Sequence, residues 1–284
     1  RPLCLGTLNG GWVVASETAA LDNLGAEFVK ELEQGETLVI DKDGVKSKIW
    51  SGARSNHAMC IFEQIYFARP DSILNGELAY ETRQRLGAAV YREHPVDADI
   101  VVGIPDSSTP HAVGLAAAAK IPYVEAIIRN RYVGRTFIQP DQHSRSQGVK
   151  TKFNAMRGVV EGKRLLVVDD SIVRSTTVTR IVKMLRKAGA KEIHMRVASP
   201  PIKSTCHFGV DMATLGELIA YNKTVDEIRD YIGADSLAYL SVEGLHQAVR
   251  APDKTYCNGC LTGKYPIPVQ LEMNKLELGI TQGI

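Results

Sequence analysis

The segment Lys163–Leu185 constrains the fold of this chain more than any other part of the sequence. It reads KRLLVVDDSIVRSTTVTRIVKML. A short apolar run, as expected for a strand buried on both faces, ends in two adjacent carboxylates and a hydroxyl-rich stretch. Apolar residues then recur at helical spacing, at Val178, Ile181, Val182 and Leu185. The segment therefore predicts a buried strand, an acidic loop and an amphipathic helix.

Other parts of the chain repeat this order of strand and helix. DIVVGIP (Asp99–Pro105) predicts a second buried strand, and the helix after it is expected to be capped by Ser108 or Thr109. PYVEAII (122–128) and KEIHMRVASPP (191–201) predict further strands. Alternating strands and helices form right-handed crossovers, so the sequence predicts an α/β fold with a mostly parallel sheet.

Composition excludes several classes of protein. The chain has 284 residues, of which 44% are hydrophobic and 23% are charged, enough for one or two domains with a sizeable core. The net charge of +2 comes from interspersed signs, which argues against a nucleic-acid-binding field or a polybasic membrane anchor. No apolar run approaches the roughly 18 residues of a membrane-spanning helix.

The first fifty residues differ from the rest. They are rich in glycine and in short β-type runs, such as WVVAS and GETLVIDKDGVKSKIW, and offer too few neighbouring elements to form a core alone. The chain begins at Arg1 and its opening lacks the layout of a signal peptide. We therefore expect a fragment or a processed product, with the cytoplasm as the default location and a plastid stroma left open.

The acidic loop predicts a site for a sugar phosphate. In open α/β sheets, ligands bind beyond the carboxyl ends of the strands, where Asp169 and Asp170 are expected. Adjacent carboxylates there can hold vicinal hydroxyls or a divalent cation, while a helix N-terminus with hydroxyl side chains can hold a phosphate. The alternative is structural: an aspartate that caps a helix, followed by an ordinary Ser/Thr-rich turn.

A polar, basic stretch lies between Arg129 and Lys152. It contains Arg131, Arg135, Arg145 and Lys150 as further cations. Long loops of this kind in compact domains are either binding loops and lids or simply solvated surface, and composition alone does not choose between them.

Five motifs in order resemble the amidophosphoribosyltransferase family, whose members are glutamine phosphoribosyl-pyrophosphate (PRPP) amidotransferases. The motifs are CIFEQIYFARPDS (60–72), RNRYVGRTFIQP (129–140), DDSIVR (169–174), ASPPIKSTCHFGVD (198–211) and CNGCLTGKYP (257–266). The resemblance covers nearly the whole chain. It implies a type I phosphoribosyltransferase fold over 51–265, preceded at 1–50 by the β-rich end of an Ntn-hydrolase glutaminase domain and followed by a tail at 266–284.

The resemblance also implies roles for individual residues. Pro105, Asp106 and Ser107 match the pyrophosphate loop, and Asp169 and Asp170 match the acids that serve magnesium and the ribose hydroxyls. Ser107 would join the magnesium site. The 5′-phosphate loop would consist of Ser171, Arg174, Ser175, Thr176 and Thr177. Arg135 would act in catalysis from a lid that closes over PRPP, together with the two acids.

One residue departs from the family pattern. The family usually has glycine at the position of Ser175. If this position requires a positive φ or a close approach of the backbone to phosphate, serine weakens stability or affinity; otherwise its hydroxyl is an additional donor.

The odd number of cysteines argues against a disulfide framework. Cys257 and Cys260 form a C-x-x-C pair that, alone, fits half of a zinc site, a redox pair or a coincidence. By resemblance, Cys60, Cys206, Cys257 and Cys260 ligate a [4Fe–4S] cluster of the family's iron–sulfur branch. We expect such a cluster to be structural or oxygen-sensing, because the transfer reaction needs no electrons. Cys4 is expected to pack in a core.

The resemblance implies an enzyme that transfers ammonia to PRPP, giving 5-phosphoribosylamine in the first step of de novo purine synthesis. In the full protein the ammonia would come from glutamine, but the glutaminase half is largely missing from this chain. A homotetramer inhibited by purine nucleotides is likewise implied. A non-catalytic sensor of PRPP or nucleotides is the alternative; a transferase with a base as acceptor would leave the four cysteines unexplained.

Overall fold

The structure is a computed structural model that describes residues 2–50, 58–130, 153–212, 214–250 and 256–269. None of the helices in these ranges is long and apolar enough to cross a membrane. The segment 131–152, which includes Arg135 and most of the predicted lid, lies outside the described residues, as do 51–57 and 270–284.

The amino-terminal region is mostly antiparallel β-structure. Its elements are β1 (Cys4–Leu8), β2 (Gly11–Ala15), α1 (Thr18–Leu24), β3 (Glu27–Glu31), β4 (Glu36–Asp41) and β5 (Gly44–Ile49). Strands β2, β1 and β3 form one sheet in that order, and β4 and β5 form a separate hairpin. Its described buried cluster consists of Cys4, Leu21 and Ala26, so the region contains little of the apolar packing that stabilises a domain.

A four-stranded parallel sheet forms the centre of the chain, as the sequence predicts. Its order is β14 (Ser236–Tyr239), β13 (Glu192–Val197), β12 (Arg164–Asp169) and β9 (Ile100–Gly103). Successive residues of β12 point to opposite faces, so that Leu166 and Val168 join one hydrophobic core and Leu165 and Val167 join the other. A strand buried on both faces explains why its sequence is apolar without alternation.

Helices cover both faces of this sheet. Helices α2 (Ala79–Glu93), α3 (Thr109–Ala119) and α8 (Val242–Ala248) contribute to the first core, whereas α5 (Thr176–Lys187) and α7 (Val225–Ile232) contribute to the second; the short helices α4 (Arg157–Val160) and α6 (Ile219–Asn222) complete the layers. The α5 residues at helical spacing in the sequence are all buried. Their burial confirms the predicted amphipathic helix.

The strand predicted at 122–128 is confirmed only in part. PYVEAII does not add a full strand to the central sheet: Tyr123 makes a single bridge to Val101, and β10 (Ile127–Arg129) pairs antiparallel with β11 (Phe153–Ala155) in a separate ribbon. Apolar composition predicted an extended segment correctly but could not specify its pairing partner.

Short elements bring distant cysteines together. Strand β6 (Met59–Cys60) pairs in parallel with β15 (Tyr256–Cys257), and α9 (Gly259–Thr262) follows β15. A π-helical turn (Glu63–Phe67) comes shortly after β6, and the small hairpin β7 (Ile73–Leu74) and β8 (Glu77–Leu78) leads into α2. Segments nearly 200 positions apart in sequence therefore meet beside the first core.

Candidate functional site

The candidate site lies at the carboxyl edge of the parallel sheet. Strand β9 leads into the loop Ile104–Ser108, and β12 leads into the loop Asp170–Ser175. The amide of Ile104 donates to the carbonyl of Val168 at 3.0 Å, which fixes the first loop beside the end of β12. The sheet thus brings together two loops that lie more than 60 positions apart in sequence.

Asp169 and Asp170 are both buried there, with 9% and 4% of their surfaces exposed. The Ser108 hydroxyl donates to Oδ1 of Asp169 at 2.9 Å and lies 3.3 Å from Oδ2 of Asp170. The amide of Asp170 donates to Oγ of Ser108 and to Oδ1 of Asp169, each at 3.0 Å. The Ser171 hydroxyl donates to Oδ1 of Asp170 at 2.7 Å. The hydroxyls of two serines and the Asp170 amide therefore hold the pair in one arrangement.

The two acids retain their protons more strongly than exposed aspartates do. Burial raises the pKa of Asp169 well above its ordinary value, and the neighbouring Asp170 carboxylate raises it further. Burial also raises the pKa of Asp170, whereas hydrogen bonds from Ser107, Ser171 and Ser108 oppose that rise. A divalent cation would relieve this cluster of buried negative charge, and carboxylate and hydroxyl oxygens are suitable ligands for Mg²⁺. The residues present therefore fit a magnesium site.

Ser108 has a different role from the one the sequence suggests. It occupies the N-cap position of α3, but its side chain makes no capping hydrogen bond. The hydroxyl is directed to the aspartate pair instead, and the residue is fully buried. The interpretation as a helix cap was wrong because a Ser at a helix start is ordinarily explained locally, whereas here a strand distant in sequence supplies the acceptor.

The predicted phosphate loop runs from Ser171 into the start of α5. Ser175 has φ 59° and ψ −9°, a left-handed conformation, and its hydroxyl donates to the carbonyl of Arg174 at 2.6 Å. The position therefore requires the positive φ that glycine adopts without strain. Thr176 and Thr177 begin the helix and are exposed, whereas Arg174 pairs with Glu217 at 3.3 Å. The loop thus presents hydroxyls and first-turn amides, but its arginine points to another partner.

A cavity of about 530 Å³ adjoins the predicted pyrophosphate loop; Pro105, Asp106, Thr109, Tyr123, Glu125 and Arg129 are among its lining residues. The peptide bond between Pro105 and Asp106 is cis. The guanidinium of Arg129 forms an ion pair with Asp106 across this cavity. Tyr123 and Glu125 were not predicted as site residues, because their segment was assigned to a strand.

Tyr239 is a further residue at this edge that sequence reasoning missed. It ends β14 and its hydroxyl is buried without a hydrogen-bond partner in the described part of the chain. Burial raises its pKa, and the negative charge of Asp169 adds to the effect. A tyrosine in an apolar strand gives no sequence signal of this proximity, because it is typical of a core position.

The four cysteines of the predicted cluster lie close together. Cys60 and Cys257 are directly opposite each other in the β6–β15 pair. The pKa of Cys260 is raised to about 12, first by burial and then by the charges of Cys60, Cys257 and Cys206. All four thiols are free.

The chemistry of the four thiols can be compared with the ligands of metal centres. Among the described residues, no group of three or more His, Cys, Asp or Glu side chains is arranged to hold one metal ion. In an iron–sulfur cubane each thiolate binds a different iron, so its ligands lie farther apart than those of a single ion. The donor set of four neighbouring thiols fits such a group. Cys4, by contrast, is buried in the small amino-terminal core, as expected.

Comparison with known proteins agrees with this architecture. Residues 70–204 match the phosphoribosyl transferase domain family. The chain is 49% identical over 271 residues to amidophosphoribosyltransferase of Archaeoglobus fulgidus, covering 95% of this chain and 59% of that protein. It is 51% identical over 273 residues to the Bacillus subtilis protein of the same name, covering 95% of this chain and 57% of the relative.

A solved structure is similar over the same extent. The glutamine PRPP amidotransferase from B. subtilis, complexed with ADP and GMP, superposes with a TM-score of 0.88 at 49% identity, covering 96% of this chain and 61% of that one. The α/β fold is therefore that of a type I phosphoribosyltransferase. The chain spans less than two thirds of the length of these relatives. By its sequence and its fold, it belongs to the amidophosphoribosyltransferase family.

Proposed function

We propose that this protein transfers ammonia to C1 of PRPP, producing 5-phosphoribosylamine and pyrophosphate in the first step of de novo purine synthesis. The observation that carries the proposal is the buried Asp169–Asp170 pair, held by Ser108 at the carboxyl edge of the sheet. Two acids kept out of water at this position need a ligand that brings positive charge and hydroxyl groups. A ribose phosphate bound with magnesium meets both needs.

The acids would serve the ribose and its metal. Asp169, Asp170 and Ser107 would hold Mg²⁺, which when bound neutralises charge on the pyrophosphate leaving group. The carboxylates would also accept hydrogen bonds from the 2′- and 3′-hydroxyls. Support comes from the serine contacts, which leave carboxylate lone pairs available beyond those already used.

The two loops would hold the two phosphate-bearing ends of the substrate. First-turn amides of α5, the backbone amide of Ser175 and the hydroxyls of Ser171, Thr176 and Thr177 would bind the 5′-phosphate, together with Arg174 once it leaves Glu217. The Ser175 hydroxyl already donates to the carbonyl of Arg174. Pro105, Asp106 and Ser107 would shape the pyrophosphate subsite beside the 530 Å³ cavity. Arg135, which lies outside the described residues, would close over this subsite and act in catalysis.

The chemistry requires positioning more than acid–base catalysis. The C1–O bond breaks with its electron pair leaving on pyrophosphate, the C1–N bond forms from the ammonia lone pair, and nitrogen then loses one proton to solvent or pyrophosphate. The protein's tasks are to align the two reactants, to stabilise the charge that develops and to exclude water from C1. A dedicated general base is therefore not needed.

Cys60, Cys206, Cys257 and Cys260 would hold a [4Fe–4S] cluster, placing the protein in the iron–sulfur branch of the family. The supporting observation is the convergence of four free thiols from β6, β15, α9 and the 198–211 segment. The cluster, when bound, would cross-link these segments, with no part in the transfer chemistry.

Residues 1–50 would be the end of an Ntn-hydrolase glutaminase domain, 51–265 the phosphoribosyltransferase domain and 266–284 a tail. The first region exposes large apolar side chains, namely Trp12, Val14, Leu24, Phe28, Val39 and Trp50. Such a surface fits a region whose packing partners lie in the rest of the protein. In the whole protein, ammonia would come from glutamine.

We propose the regulation and assembly of this protein by analogy with its relatives. The B. subtilis structure contains ADP and GMP, and we extend feedback inhibition by purine nucleotides to this protein. A homotetramer in the cytoplasm is the corresponding proposal for assembly and location, with a plastid stroma as the alternative because one relative is the chloroplastic amidophosphoribosyltransferase 2 of Arabidopsis thaliana.

The test is pyrophosphate release from PRPP and Mg²⁺ by anaerobically purified protein, with and without ammonium at mildly alkaline pH, where more of the ammonium is free ammonia. The control is the double variant Asp169→Asn with Asp170→Asn. Ammonium-dependent release that the double variant loses would support the transferase. A folded, iron-loaded protein that binds PRPP without releasing pyrophosphate would favour the non-catalytic sensor.

A further inference from the structure

A buried arginine joins the cysteine region to the aspartate site. Arg83, on α2, is among the largest fully buried side chains and has 1% of its surface exposed. Its guanidinium donates to the carbonyls of Gln64 at 3.0 Å, Glu63 at 3.4 Å and Ala68 at 2.7 Å. These carbonyls belong to the π-helical turn and the residue after it, so one side chain fixes that turn against α2.

The same turn contacts the strand that carries Cys257. The Gln64 side-chain amide donates to the hydroxyl of Tyr256 at 3.3 Å, and the Asn75 amide donates to the same hydroxyl at 3.1 Å. Tyr256 directly precedes Cys257, and the two residues pair with Met59 and Cys60. A change in the distance between Cys60 and Cys257 would therefore displace the π-helical turn, because Tyr256 is bonded to Cys257 along the chain and accepts a hydrogen bond from Gln64 of the turn.

Arg83 also interacts electrostatically with the aspartate site. The Asp170 carboxylate is the first of the charges that support its protonated form against the effect of burial. Helix α2 is also in close contact with α3, since a Cβ at Gly87 would lie 1.8 Å from the carbonyl oxygen of His111 and one at Gly114 would lie 2.0 Å from that of Gln84. Helix α3 begins beside Ser108, the residue that holds both acids, so the close packing of α2 against α3 links the position of α2 to that of Ser108.

We propose that Arg83 is a positioning residue that couples occupancy of the cysteine cluster to the geometry of the Asp169–Asp170 pair. The proposal rests on the proposed function, since it assumes both a cluster and a PRPP site. Ordering of β6 and β15 by the cluster fixes the π-helical turn, Arg83 holds that turn to α2, and the close contact of α2 with α3 carries the constraint to Ser108. Loss of the cluster loosens the aspartate pair and weakens substrate binding.

The test is a thermodynamic cycle that combines removal of the cluster with substitution of Arg83 in the full-length protein, purified anaerobically. The dissociation constant for Mg²⁺·PRPP is measured by calorimetry before and after the cluster is removed with oxygen and a chelator, and iron content and reactive thiols are counted in each sample. The cycle compares wild type with Arg83→Gln and Arg83→Lys. Arg85→Gln is the matched control, because Arg85 is an α2 arginine that donates to a different carbonyl, that of Ala248, at 2.8 Å.

We expect cluster removal to weaken Mg²⁺·PRPP binding by about tenfold in wild type and in Arg85→Gln, a size typical of coupling between sites. Arg83→Gln should bind weakly with its cluster intact and lose little more on removal, while Arg83→Lys should recover part of the coupling. Because coupling is reciprocal for binding free energies, Mg²⁺·PRPP should raise the fraction of protein that retains its cluster at equilibrium with a chelator in wild type but not in Arg83→Gln.

Equal weakening on cluster removal in wild type and Arg83→Gln would overturn the proposal, as would PRPP affinity in wild type that is independent of the cluster. If Arg83→Gln does not fold, the test uses Arg83→Lys. A smaller loss of Mg²⁺·PRPP affinity on cluster removal than in wild type supports the proposal, and a loss equal to that of wild type rejects it. A wild-type protein that carries its cluster but does not bind Mg²⁺·PRPP would reject the proposed function itself, and the coupling with it.

Discussion

Strand β12 has ionisable groups at both of its ends. Those at the amino end form ion pairs exposed to water, whereas those at the carboxyl end are buried. At its amino end, Arg164 donates to Asp99 at 2.9 Å and also pairs with Asp97, and these charges remain accessible to water. At its carboxyl end, Asp169 and Asp170 are buried together and are held by serine hydroxyls and an amide. At the amino end the charges of Asp97 and Asp99 are paired with Arg164. At the carboxyl end two carboxylates are buried side by side, where we propose that a ligand binds.

The two ends of β12 also differ in backbone conformation. The carboxyl edge contains a serine in the left-handed conformation, Ser175, with φ 59°. Strained or unusual conformations tend to occur at functional sites, where the surrounding structure maintains them. The comparison predicts that mutations at the carboxyl edge change ligand binding more than stability, and that mutations at the amino edge do the reverse.

The largest effect is expected from Asp169→Asn combined with Asp170→Asn. Ammonia-dependent transfer should fall by a factor on the order of 10³ or more, because the charges that hold the metal and ribose are lost. The free energy of unfolding at neutral pH should stay the same or rise. The raised carboxyl pKa means that the folded state loses stability as pH increases through that pKa, and the amides remove this penalty. Steady-state kinetics and urea unfolding measure both quantities; a large drop in stability would contradict the comparison.

Ser108→Ala should have the next largest effect. Residues that orient metal ligands typically contribute about 10–100-fold to metal affinity, so we expect a weakening of that order in Mg²⁺ dependence, with the helix start intact because the side chain does not cap it. Magnesium titration of the transfer rate tests this effect. Urea unfolding is the control: a large loss of stability in Ser108→Ala would show that the helix start, rather than the aspartate pair, is responsible.

Ser175→Gly should stabilise the protein and tighten PRPP binding. Relief of the left-handed conformation is expected to contribute about 1 kcal/mol, less the greater flexibility of glycine in the unfolded chain. Lys120, with φ 58° at the end of α3, is a second left-handed residue but lies away from the phosphate loop. Lys120→Gly should therefore give a similar gain in thermal stability with no change in the KM for PRPP. If both variants change KM alike, Ser175 has no specific role in the loop.

The smallest effect is expected at the amino end, from Asp99→Asn. Hydrogen bonds from Arg164 hold the pKa of Asp99 at about 2, below its ordinary value of 3.8. A lowered carboxyl pKa contributes stability that is present above the ordinary value and is lost as pH falls toward the lowered one. The stability difference between wild type and Asp99→Asn should thus be largest above pH 3.8 and shrink as pH approaches 2, with transfer activity unchanged. Urea unfolding across this range checks the trend, and a difference independent of pH would exclude the ion pair as its cause.

Local sequence pattern was sufficient for the elements that depend on burial alone. The apolar runs of β9 and β12 and the helical spacing in α5 predicted their structures, because burial on one or both faces leaves a direct periodicity in sequence. The segment 122–128 was predicted less well, because an extended, apolar stretch does not reveal which strand it pairs with. Ser108 was assigned to a cap and Tyr239 was not identified at all, since each is brought near Asp169 by contacts between elements.

The sequence by itself determined the parallel α/β arrangement and the position of the two acids at a strand end, because these depend on spacing along one stretch of chain. The departure from glycine at position 175 followed from the resemblance to the family. Only the tertiary structure decided that position 175 has a positive φ, that Ser108 holds both acids and that four cysteines from separate segments converge. It also decided that Arg83 lies buried between the cysteine strands and the aspartate site. These features depend on distances between segments far apart in sequence, which arise when the sheet and its helices pack into a common core.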